Sequence, residues 1–308
     1  MEKMAVERSV IGGGSAGCVL AGRLSEDPNI SVCLLEAGGD GNGWTVNVPC
    51  AAVISIPTKL NNWAFETVPQ KGLNGRKGYQ PRGKGLGGSS AINAMVYIRG
   101  NAQDYDHWAA LGNEGWSYQD VLPYFIKSEN NDRIQNQYHG NAGPLSVSDL
   151  RSDNPLQARY LAAARELNYP ILDDFNGAEQ EGLGVYQVTH INGERCSAAR
   201  AYLFPHLQRP NLTIITQAMT QRILIEQGVA VGVEYRQGKV VKQLHATREV
   251  LLSAGAMQSP QILMLSGVGD QQELQQHGIE IKQHLPGVGQ NFHDHPDFIF
   301  GYKVSQIE

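Results

Sequence analysis

The chain has 308 residues, of which 41% are hydrophobic, and its formal net charge is −5 at pH 7. This length accommodates about two domains with a sizeable core, and an acidic balance without basic clusters argues against nucleic acid as a partner. No apolar run reaches the roughly twenty residues that span a bilayer, and residues 1–10 lack the apolar middle of a signal peptide. We therefore expect a cytoplasmic protein, with peripheral attachment to the inner membrane left open.

The first structured stretch has the pattern of a nucleotide-binding unit. A β-rich run ends at Ile11, a helix is predicted for residues 16–24, and a second strand is predicted for residues 30–35. The turn between the first strand and the helix has the spacing G-x-G-x-x-G, formed by Gly12, Gly14 and Gly17. Strand, helix, strand and a terminal acid together predict a βαβ dinucleotide-binding unit.

The residues of this turn have separate physical tasks. Gly12 permits the tight turn, Gly14 lets the backbone reach a pyrophosphate, and Gly17 lets the helix pack closely on the strand. The pyrophosphate would lie on free N–H groups at the helix N-terminus. Glu36, nineteen residues after Gly17, would accept a hydrogen bond from the adenosine ribose and would repel a 2′-phosphate, which disfavours NADP. The cofactor contacts predicted here are Gly12, Gly14, Ser15, Ala16, Gly17, Glu36 and Ala37.

A second glycine-rich turn, within residues 81–100, leads directly into an apolar run. Such a turn indicates another close approach of the backbone to a flat or anionic ligand. Upstream of it, Trp63 could flank a ring ligand or could belong to a small satellite core, and the sequence leaves both alternatives open.

The βαβ unit together with GKGLGGSSAINAMVYIRG resembles the glucose–methanol–choline family of flavin oxidoreductases, in particular its bacterial choline dehydrogenase and FAD-dependent alcohol dehydrogenase branch. In that family the second segment wraps the flavin. The resemblance therefore implies FAD contacts at Arg82, Gly85, Gly87, Ser90, Asn93, Ala94, Met95 and Val96. Some members carry a histidine in this segment that bonds covalently to the flavin. The matching position here is Ile92, which implies non-covalent FAD.

Helices and strands alternate along the middle of the chain. Ser117 and Ser197 are predicted helix caps, and residues 154–168 are predicted to form a helix. Arg195 and Arg200 are predicted to pair with surface carboxylates in preference to a phosphate. Four β-rich runs follow, the middle two as a hairpin or meander: residues 212–215, 222–226, 229–235 and 249–253.

The stretch SAGAMQSPQILMLSGVG, residues 253–269, resembles a further motif of the same family. Its pattern predicts a glycine turn and then a helix capped by Ser259 with Pro260 in the first helical position. This N-terminus is available to a diphosphate or a ring edge. The resemblance implies FAD contacts at Ala254 and Gly255 and a backbone contact between Thr220 and the adenine.

Neither the cysteines nor the acidic and histidine clusters predict a metal site. The acidic residues at 173–181 are separated as in a solvated loop. His293 and His295 flank Asp294, but three donors are too few, and a turn in which Asp294 caps local N–H groups is favoured. The four cysteines lack C-x-x-C spacing and are predicted to be reduced thiols: Cys18, Cys33, Cys50 and Cys196.

The predicted fold class is α/β, with a Rossmann-like FAD-binding domain and part of an antiparallel-sheet substrate domain. Residues 1–150 and 211–296 are predicted to form the two parts of the FAD-binding domain. Residues 151–210 are assigned to the substrate domain, and residues 297–308 to the start of its sheet, which is cut short there.

The resemblance implies an enzyme that oxidises a primary alcohol, choline-like, aliphatic or aromatic, to the aldehyde by hydride transfer to flavin N5. It places the catalytic histidine and its His or Asn partner beyond Glu308, so no catalytic residue is predicted and the isolated chain is expected to be inactive. The alternatives are a non-catalytic FAD-binding fragment and an NAD-dependent Rossmann dehydrogenase, which needs neither later motif. The sequence leaves open the alcohol, the electron acceptor (quinone pool or oxygen) and the oligomeric state.

Overall fold

The structure is a computed structural model that describes residues 4–152, 154–295, 297–301 and 303. Its strands are β1 (Met4–Ile11), β2 (Val32–Leu35), β3 (Phe65–Glu66), β4 (Tyr79–Gln80), β5 (Glu129–Asn131), β6 (Leu145–Asp149), β7 (Gln187–Val188), β8 (His190–Ile191), β9 (Glu194–Arg195), β10 (Leu212–Ile215), β11 (Ala218–Glu226), β12 (Val229–Gln237), β13 (Val240–Leu252), β14 (Val268–Gly269) and β15 (Gln283–His284). Its α-helices are α1 (Ser15–Leu24), α2 (Trp44–Asn47), α3 (Ala52–Ser55), α4 (Ala102–Ala110), α5 (Tyr118–Ser128), α6 (Pro155–Glu166), α7 (Ala198–Tyr202), α8 (Gly255–Leu265) and α9 (Gln271–Gln276). Short 3-10 helices lie at Pro49–Ala51, Lys71–Leu73, Gly88–Ala91 and Phe204–His206.

The centre of the fold is a six-stranded sheet in the order β10–β2–β1–β13–β12–β11. β1 is parallel to both of its neighbours, β2 and β13, and β10 is parallel to β2. The hairpin predicted downstream is present, because β11, β12 and β13 form an antiparallel meander. The predicted α/β class is confirmed, with parallel and antiparallel pairing combined in one sheet.

Strand β2 is buried along its whole length, on both faces of the sheet, which explains its continuous apolar run. In β2, Val32 and Leu34 belong to one core cluster, and Cys33 and Leu35 belong to the other, because successive side chains of a strand point to opposite faces. α1 and α7 pack on the first face, and α8 packs on the second. The carboxyl ends of β1 and β2 therefore meet at one edge of a sheet that is covered on both sides.

The predicted helix caps are present, but α8 begins earlier than predicted. Ser117 and Ser197 accept hydrogen bonds from backbone N–H groups in the first turns of α5 and α7. α8 begins at Gly255, so the prediction of a start behind a Ser259 cap is wrong, and Pro260 lies inside the helix. Gly255 has a φ of +85°, which glycine adopts readily, and this residue turns the chain from β13 directly into the helix.

The predicted division into domains remains a prediction. The segment between the two parts assigned to the FAD-binding domain, residues 151–210, contains the short strands β7, β8 and β9. β7 pairs antiparallel with β6, which lies in the first part, and β8 pairs antiparallel with β9. Residues 297–301 form no strand, so the strand-like start predicted there is wrong for these five residues. Residues 302 and 304–308 lie outside the described residues, as do residues 1–3, 153 and 296. Within the described part of the chain, no helix is long and apolar enough to cross a bilayer.

A buried polar network, here called the Glu129 network, joins separate segments of the chain and consists of Arg99, Glu129, Asn131, His139 and Asp174. Nη2 of Arg99 lies 2.7 Å from Oε2 of Glu129. The imidazole of His139 lies between two carboxylates, with Nδ1 2.9 Å from Oε1 of Glu129 and Nε2 3.0 Å from Oδ2 of Asp174. The side chains of Arg99, Glu129 and His139 are almost completely buried. Their mutual hydrogen bonds therefore satisfy most of the polar atoms that water cannot reach, while Nε of Arg99 has no hydrogen-bond partner among the described residues.

Candidate cofactor site

A cavity of about 880 Å³ lies where β1, β2 and β13 end, and the last residues of these strands, Ile11, Leu35 and Leu252, line it. Ligands of open α/β sheets bind in such a crevice outside the carboxyl ends of the strands. The volume falls within the range of roughly 300 to 1,000 Å³ that is usual for cofactor and small-molecule sites.

Two helices begin at this cavity without a side-chain cap. Gly14 precedes α1 and Ala254 precedes α8, both residues line the cavity, and neither supplies a capping side chain. The first N–H groups of a helix have no partner within the helix, and the helix dipole favours an anion at this end. The cavity therefore offers two sets of free donors to a diphosphate.

The glycines of the β1–α1 turn are required for two different reasons. A Cβ on Gly17 would lie 1.8 Å from the carbonyl oxygen of Gly12, and a Cβ on Gly12 would lie 2.6 Å from the carbonyl oxygen of Ser253. These two glycines permit close backbone packing. A Cβ on Gly14 would meet no protein atom nearer than 4.0 Å, so its missing side chain leaves open space.

Glu36 is held by backbone donors on three sides. Its Oε2 accepts the N–H of Gly13 at 2.8 Å, and its Oε1 accepts the N–H groups of Gly38 at 2.7 Å and Gly85 at 3.0 Å. Burial raises the pKa of Glu36, while these hydrogen bonds and the nearby charge of Lys84 oppose the increase. A carboxylate has about four acceptor positions, so Oε2 has one left for a ligand hydroxyl.

An aromatic and cationic wall lines another part of the cavity. Trp63 and Phe65 are stacked, with ring centroids 5.7 Å apart and an interplanar angle of 5°. Nζ of Lys84 lies 4.4 Å from the centroid of the Trp63 ring. Arg82 also lines the cavity, and its Nη2 lies 3.5 Å from Oδ2 of Asp294. A flat ligand could therefore pack against Trp63 while its charged part approaches Arg82.

Most of the predicted contacts of the βαβ unit line the cavity, whereas Arg82 is the one predicted contact of the second segment that does so. The predicted residues that line the cavity are Gly12, Gly14, Ser15, Ala16, Glu36, Ala37, Trp63, Arg82, Thr220, Ala254 and Gly255. Those outside its lining are Gly17, Gly85, Gly87, Ser90, Asn93, Ala94, Met95 and Val96. Lining residues that the sequence analysis missed include Met219, Gln221, Met257, Gln258 and Gln261, and the only signal for them was their nearness to Thr220 and Gly255 in the chain.

The second glycine-rich segment forms part of the cavity wall, and its later residues lie outside the lining. Gly88 and Ser89 line the cavity, and the N–H of Gly87 donates to the carbonyl of Gly13 at 2.8 Å. Beyond them Asn93, Ala94 and Val96 are exposed. Together with the buried Met95 between them, these residues form the segment here called the ledge (residues 93–96), which follows Gly88 and Ser89 in the chain.

Arg195 does not pair with a surface carboxylate, so that prediction is wrong. Its side chain is buried, and Nη1 donates to the carbonyls of Ser90 at 3.2 Å and Asn93 at 2.8 Å and to Oδ1 of Asn93 at 2.8 Å. Its Nε donates to the carbonyl of Val46 at 3.0 Å. The prediction holds for Arg200, which pairs with Glu194.

The aspartates considered as metal ligands have other partners. Asp173 pairs with Arg133 and Asp174 with His139, and Asp294 accepts the N–H of His295 at 2.9 Å, as in the predicted turn. The described residues contain no group of three or more His, Cys, Asp or Glu side chains that could hold a metal ion. Cys18, Cys33 and Cys196 are buried thiols, and Cys50 is an exposed one.

The chain is similar to flavin enzymes over almost its whole length. A family model described as GMC oxidoreductase matches residues 6–297. The chain is 49% identical over 291 residues to an alcohol dehydrogenase (acceptor) of Pseudomonas putida, covering 94% of this chain and 53% of the relative. It is 47% identical over 293 residues to a mitochondrial choline dehydrogenase of Mus musculus, covering 93% and 49%. A solved FAD-dependent oxidoreductase from Chaetomium thermophilum matches with a TM-score of 0.87 at 34% identity, covering 93% of this chain and 52% of that one. The chain spans about half the length of the curated relatives it matches.

Proposed function

The chain belongs to the GMC oxidoreductase family, and from this premise we propose that it binds FAD non-covalently in the 880 Å³ cavity and serves the oxidation of a small alcohol. FAD is the cofactor of this family's N-terminal domain. One observation supports the proposal above all. The uncapped N-termini of α1 and α8 and the buried carboxylate of Glu36 all lie at the same cavity.

Each part of this arrangement suits one part of FAD. The free N–H groups at the two helix starts would hold the diphosphate, and the open space at Gly14 would admit it. The remaining acceptor position on Glu36 would take a ribose hydroxyl. Thr220 lies on the β11 side of the cavity, where we expect the adenine to lie against its backbone.

Bound FAD supplies an acceptor for a hydride at N5, and the residues of this chain hold and orient it. Among the described residues that line the cavity, Glu36 is the one carboxylate and no histidine is present. Since Glu36 is committed to three backbone donors, we assign no catalytic base within the cavity. The names of the relatives support a small alcohol such as choline as substrate and an electron acceptor as the second partner.

The alternative of an NAD-dependent dehydrogenase is less favoured because the second glycine-rich segment is built into the site. Gly85 donates its N–H to Glu36, and Gly87 donates its N–H to Gly13. A Rossmann-type NAD site carries its glycine fingerprint in the first βα turn and needs no second glycine-rich segment. A segment of this kind, continued by an exposed ledge at residues 93–96, suits the longer ring system of a flavin.

The visible absorption spectrum of the purified chain tests this proposal. We expect an oxidised flavin spectrum, with all of the flavin released when the protein is denatured, because Ile92 offers no group for a covalent bond. Anaerobic addition of choline or simple primary alcohols is expected to leave the flavin oxidised, since the cavity holds no assigned base. Failure of the chain to take up micromolar FAD, or uptake of NAD in its place, would contradict the proposal. Bleaching by an alcohol would mean that a base has been overlooked.

A further inference from the structure

Arg195 is a buried cation whose surroundings contain no carboxylate partner among the described residues. Its side chain is 1% exposed, and burial lowers its pKa to about 10. A buried charge is normally paired, because removing it from water is costly. Here the guanidinium instead meets three backbone carbonyls and one amide oxygen. Three of these four acceptors belong to Ser90 and to Asn93, the first residue of the ledge at residues 93–96.

We propose that Arg195 is a positioning residue for the flavin: it fixes the loop at residues 90–95 and turns the side-chain NH₂ group of Asn93 outward, as a hydrogen-bond donor to the flavin ring. This inference rests on the proposed function, with the flavin ring extending beyond the lining residues Gly88 and Ser89 to residues 93–96.

The orientation of the Asn93 amide follows from its two neighbours. Oδ1 accepts Nη1 of Arg195 at 2.8 Å and the N–H of Met95 at 3.1 Å. Both neighbours can only donate, so the oxygen must face them and the NH₂ group must face the exposed side. The bond from the guanidinium is charge-assisted and is the stronger of the two. Without Arg195, the amide would keep only the bond from Met95 and could rotate.

The backbone of the same loop also needs an external anchor. Met95 has a φ of +62°, a left-handed conformation that costs energy for a residue with a long side chain. Such a conformation persists only where the surroundings enforce it. Arg195 binds the carbonyls of Ser90 and Asn93, while Thr189 donates its N–H to the carbonyl of Met95 at 2.9 Å. The loop is therefore held on both sides of Asn93.

A fixed donor beside the flavin ring has a chemical consequence. Reduction of a flavin places negative charge on the ring, and a preoriented N–H group stabilises charge where it develops. Loss of the fixed Asn93 donor should therefore make the bound flavin harder to reduce as well as weaken its binding.

The test compares Arg195→Lys and Arg195→Gln with the control Arg200→Gln. Lysine keeps the charge but has no planar fork to reach several acceptors at once. Arg200 lies on the adjacent helix α7 and forms a partly exposed ion pair with Glu194, so its loss should leave the loop intact. The first measurement is amide hydrogen exchange of residues 87–97 in the FAD-free chain. We expect at least tenfold faster exchange in both Arg195 variants and no change in Arg200→Gln.

The second measurement is a double-mutant cycle of Arg195→Lys and Asn93→Ala on FAD affinity and on the reduction potential of the bound flavin. We expect each single variant to bind FAD at least tenfold more weakly and to lower the potential. The double variant should lose less than the sum of the two single variants, because part of the effect of Arg195 acts through the Asn93 side chain. Additive losses would overturn this coupling. If amide exchange in Arg195→Lys equals that of the wild type, the proposal is overturned whether or not FAD binds. If exchange is faster in the Arg195 variants but the wild-type chain takes up no FAD, the proposed function is rejected and the role of Arg195 in fixing the loop stands.

Discussion

Substitution of Gly17 by alanine is expected to lower the free energy of unfolding by about 3 kcal/mol, at the upper end of the usual cost of overpacking. The added Cβ would lie 1.8 Å from the carbonyl oxygen of Gly12. That oxygen belongs to backbone which cannot easily move, since the N–H of Gly12 donates to the carbonyl of Leu35 at 2.8 Å. α1 would have to move away from β1, and the core between them would open. Urea denaturation of the two proteins measures the loss.

Gly14→Ala is the matched control for this prediction. Gly14 has a φ of −75°, which alanine adopts without strain, and its Cβ would meet no protein atom nearer than 4.0 Å. We expect stability within about 0.5 kcal/mol of the wild type, but FAD affinity at least tenfold lower, because the methyl group would fill space intended for the diphosphate. A Gly17→Ala variant as stable as the wild type would contradict the role of Gly17 in close backbone packing. A Gly14→Ala variant that binds FAD normally would contradict the role of Gly14 in leaving space for the diphosphate.

Substitution of Glu129 by glutamine is expected to cost about 3 kcal/mol, as is usual when one member of a buried ion pair is removed. The change leaves the buried guanidinium of Arg99, 2.7 Å from Oε2, without an anion. It also takes a charged acceptor from His139 and from the N–H of Gly140. Chemical denaturation measures the cost, and Glu26→Gln is the control. Glu26 forms a surface pair with Arg23, and its loss should cost less than about 0.5 kcal/mol.

The same network predicts how stability depends on pH. Burial alone would lower the pKa of His139, but its bonds to Glu129 and Asp174 raise it above the usual 6.5. Its contribution to stability is therefore complete below pH 6.5 and is lost as the pH rises through the higher folded-state pKa. Burial would raise the pKa of Glu129, but hydrogen bonds from His139 and Asn131 lower it below 4.5, so its contribution is lost only in acid. The network should therefore be strongest between about pH 4.5 and 6.5.

The stability of His139→Gln, measured between pH 5 and 9, tests this dependence. The advantage of the wild type should be largest near pH 5 to 6 and should shrink as the pH rises. A stability difference between wild type and His139→Gln that stays constant across this range would mean that His139 binds no more protons in the folded protein than in the unfolded one.

Features that depend on neighbouring residues in the chain could be predicted from sequence. The β1–α1–β2 unit and the caps at Ser117 and Ser197 follow from hydrophobic period, glycine spacing and one polar side chain before a helix. The start of α8 was predicted from the same kind of signal and was wrong. Ser259 and Pro260 are typical of a helix start, but the turn at Gly255 after β13 had already begun the helix.

Features that depend on distant segments could not be predicted. Glu36 was predicted to face a ribose, yet most of its acceptor capacity serves backbone N–H groups, and Gly85 lies 49 residues away in the chain. The sequence predicts a surface position for Arg195, because no residue near it in the chain indicates that Ser90 and Asn93 will bind its buried guanidinium. Likewise, no local pattern brings Gln221 and Gln258 to one cavity.

The position of β1 in the central sheet constrains how the protein can be made. One neighbour, β2, begins at Val32, but the other, β13, begins only at Val240. Ribosomes add about 5 to 20 residues per second, so roughly 10 to 40 s separate the synthesis of the two partners. During that interval β1 keeps an open hydrogen-bonding edge beside apolar residues such as Val10, and such edges are templates for wrong pairing. The β1–α1–β2 unit is therefore synthesised well before β13, the remaining neighbour of β1, and protection of the nascent chain matters most in that interval.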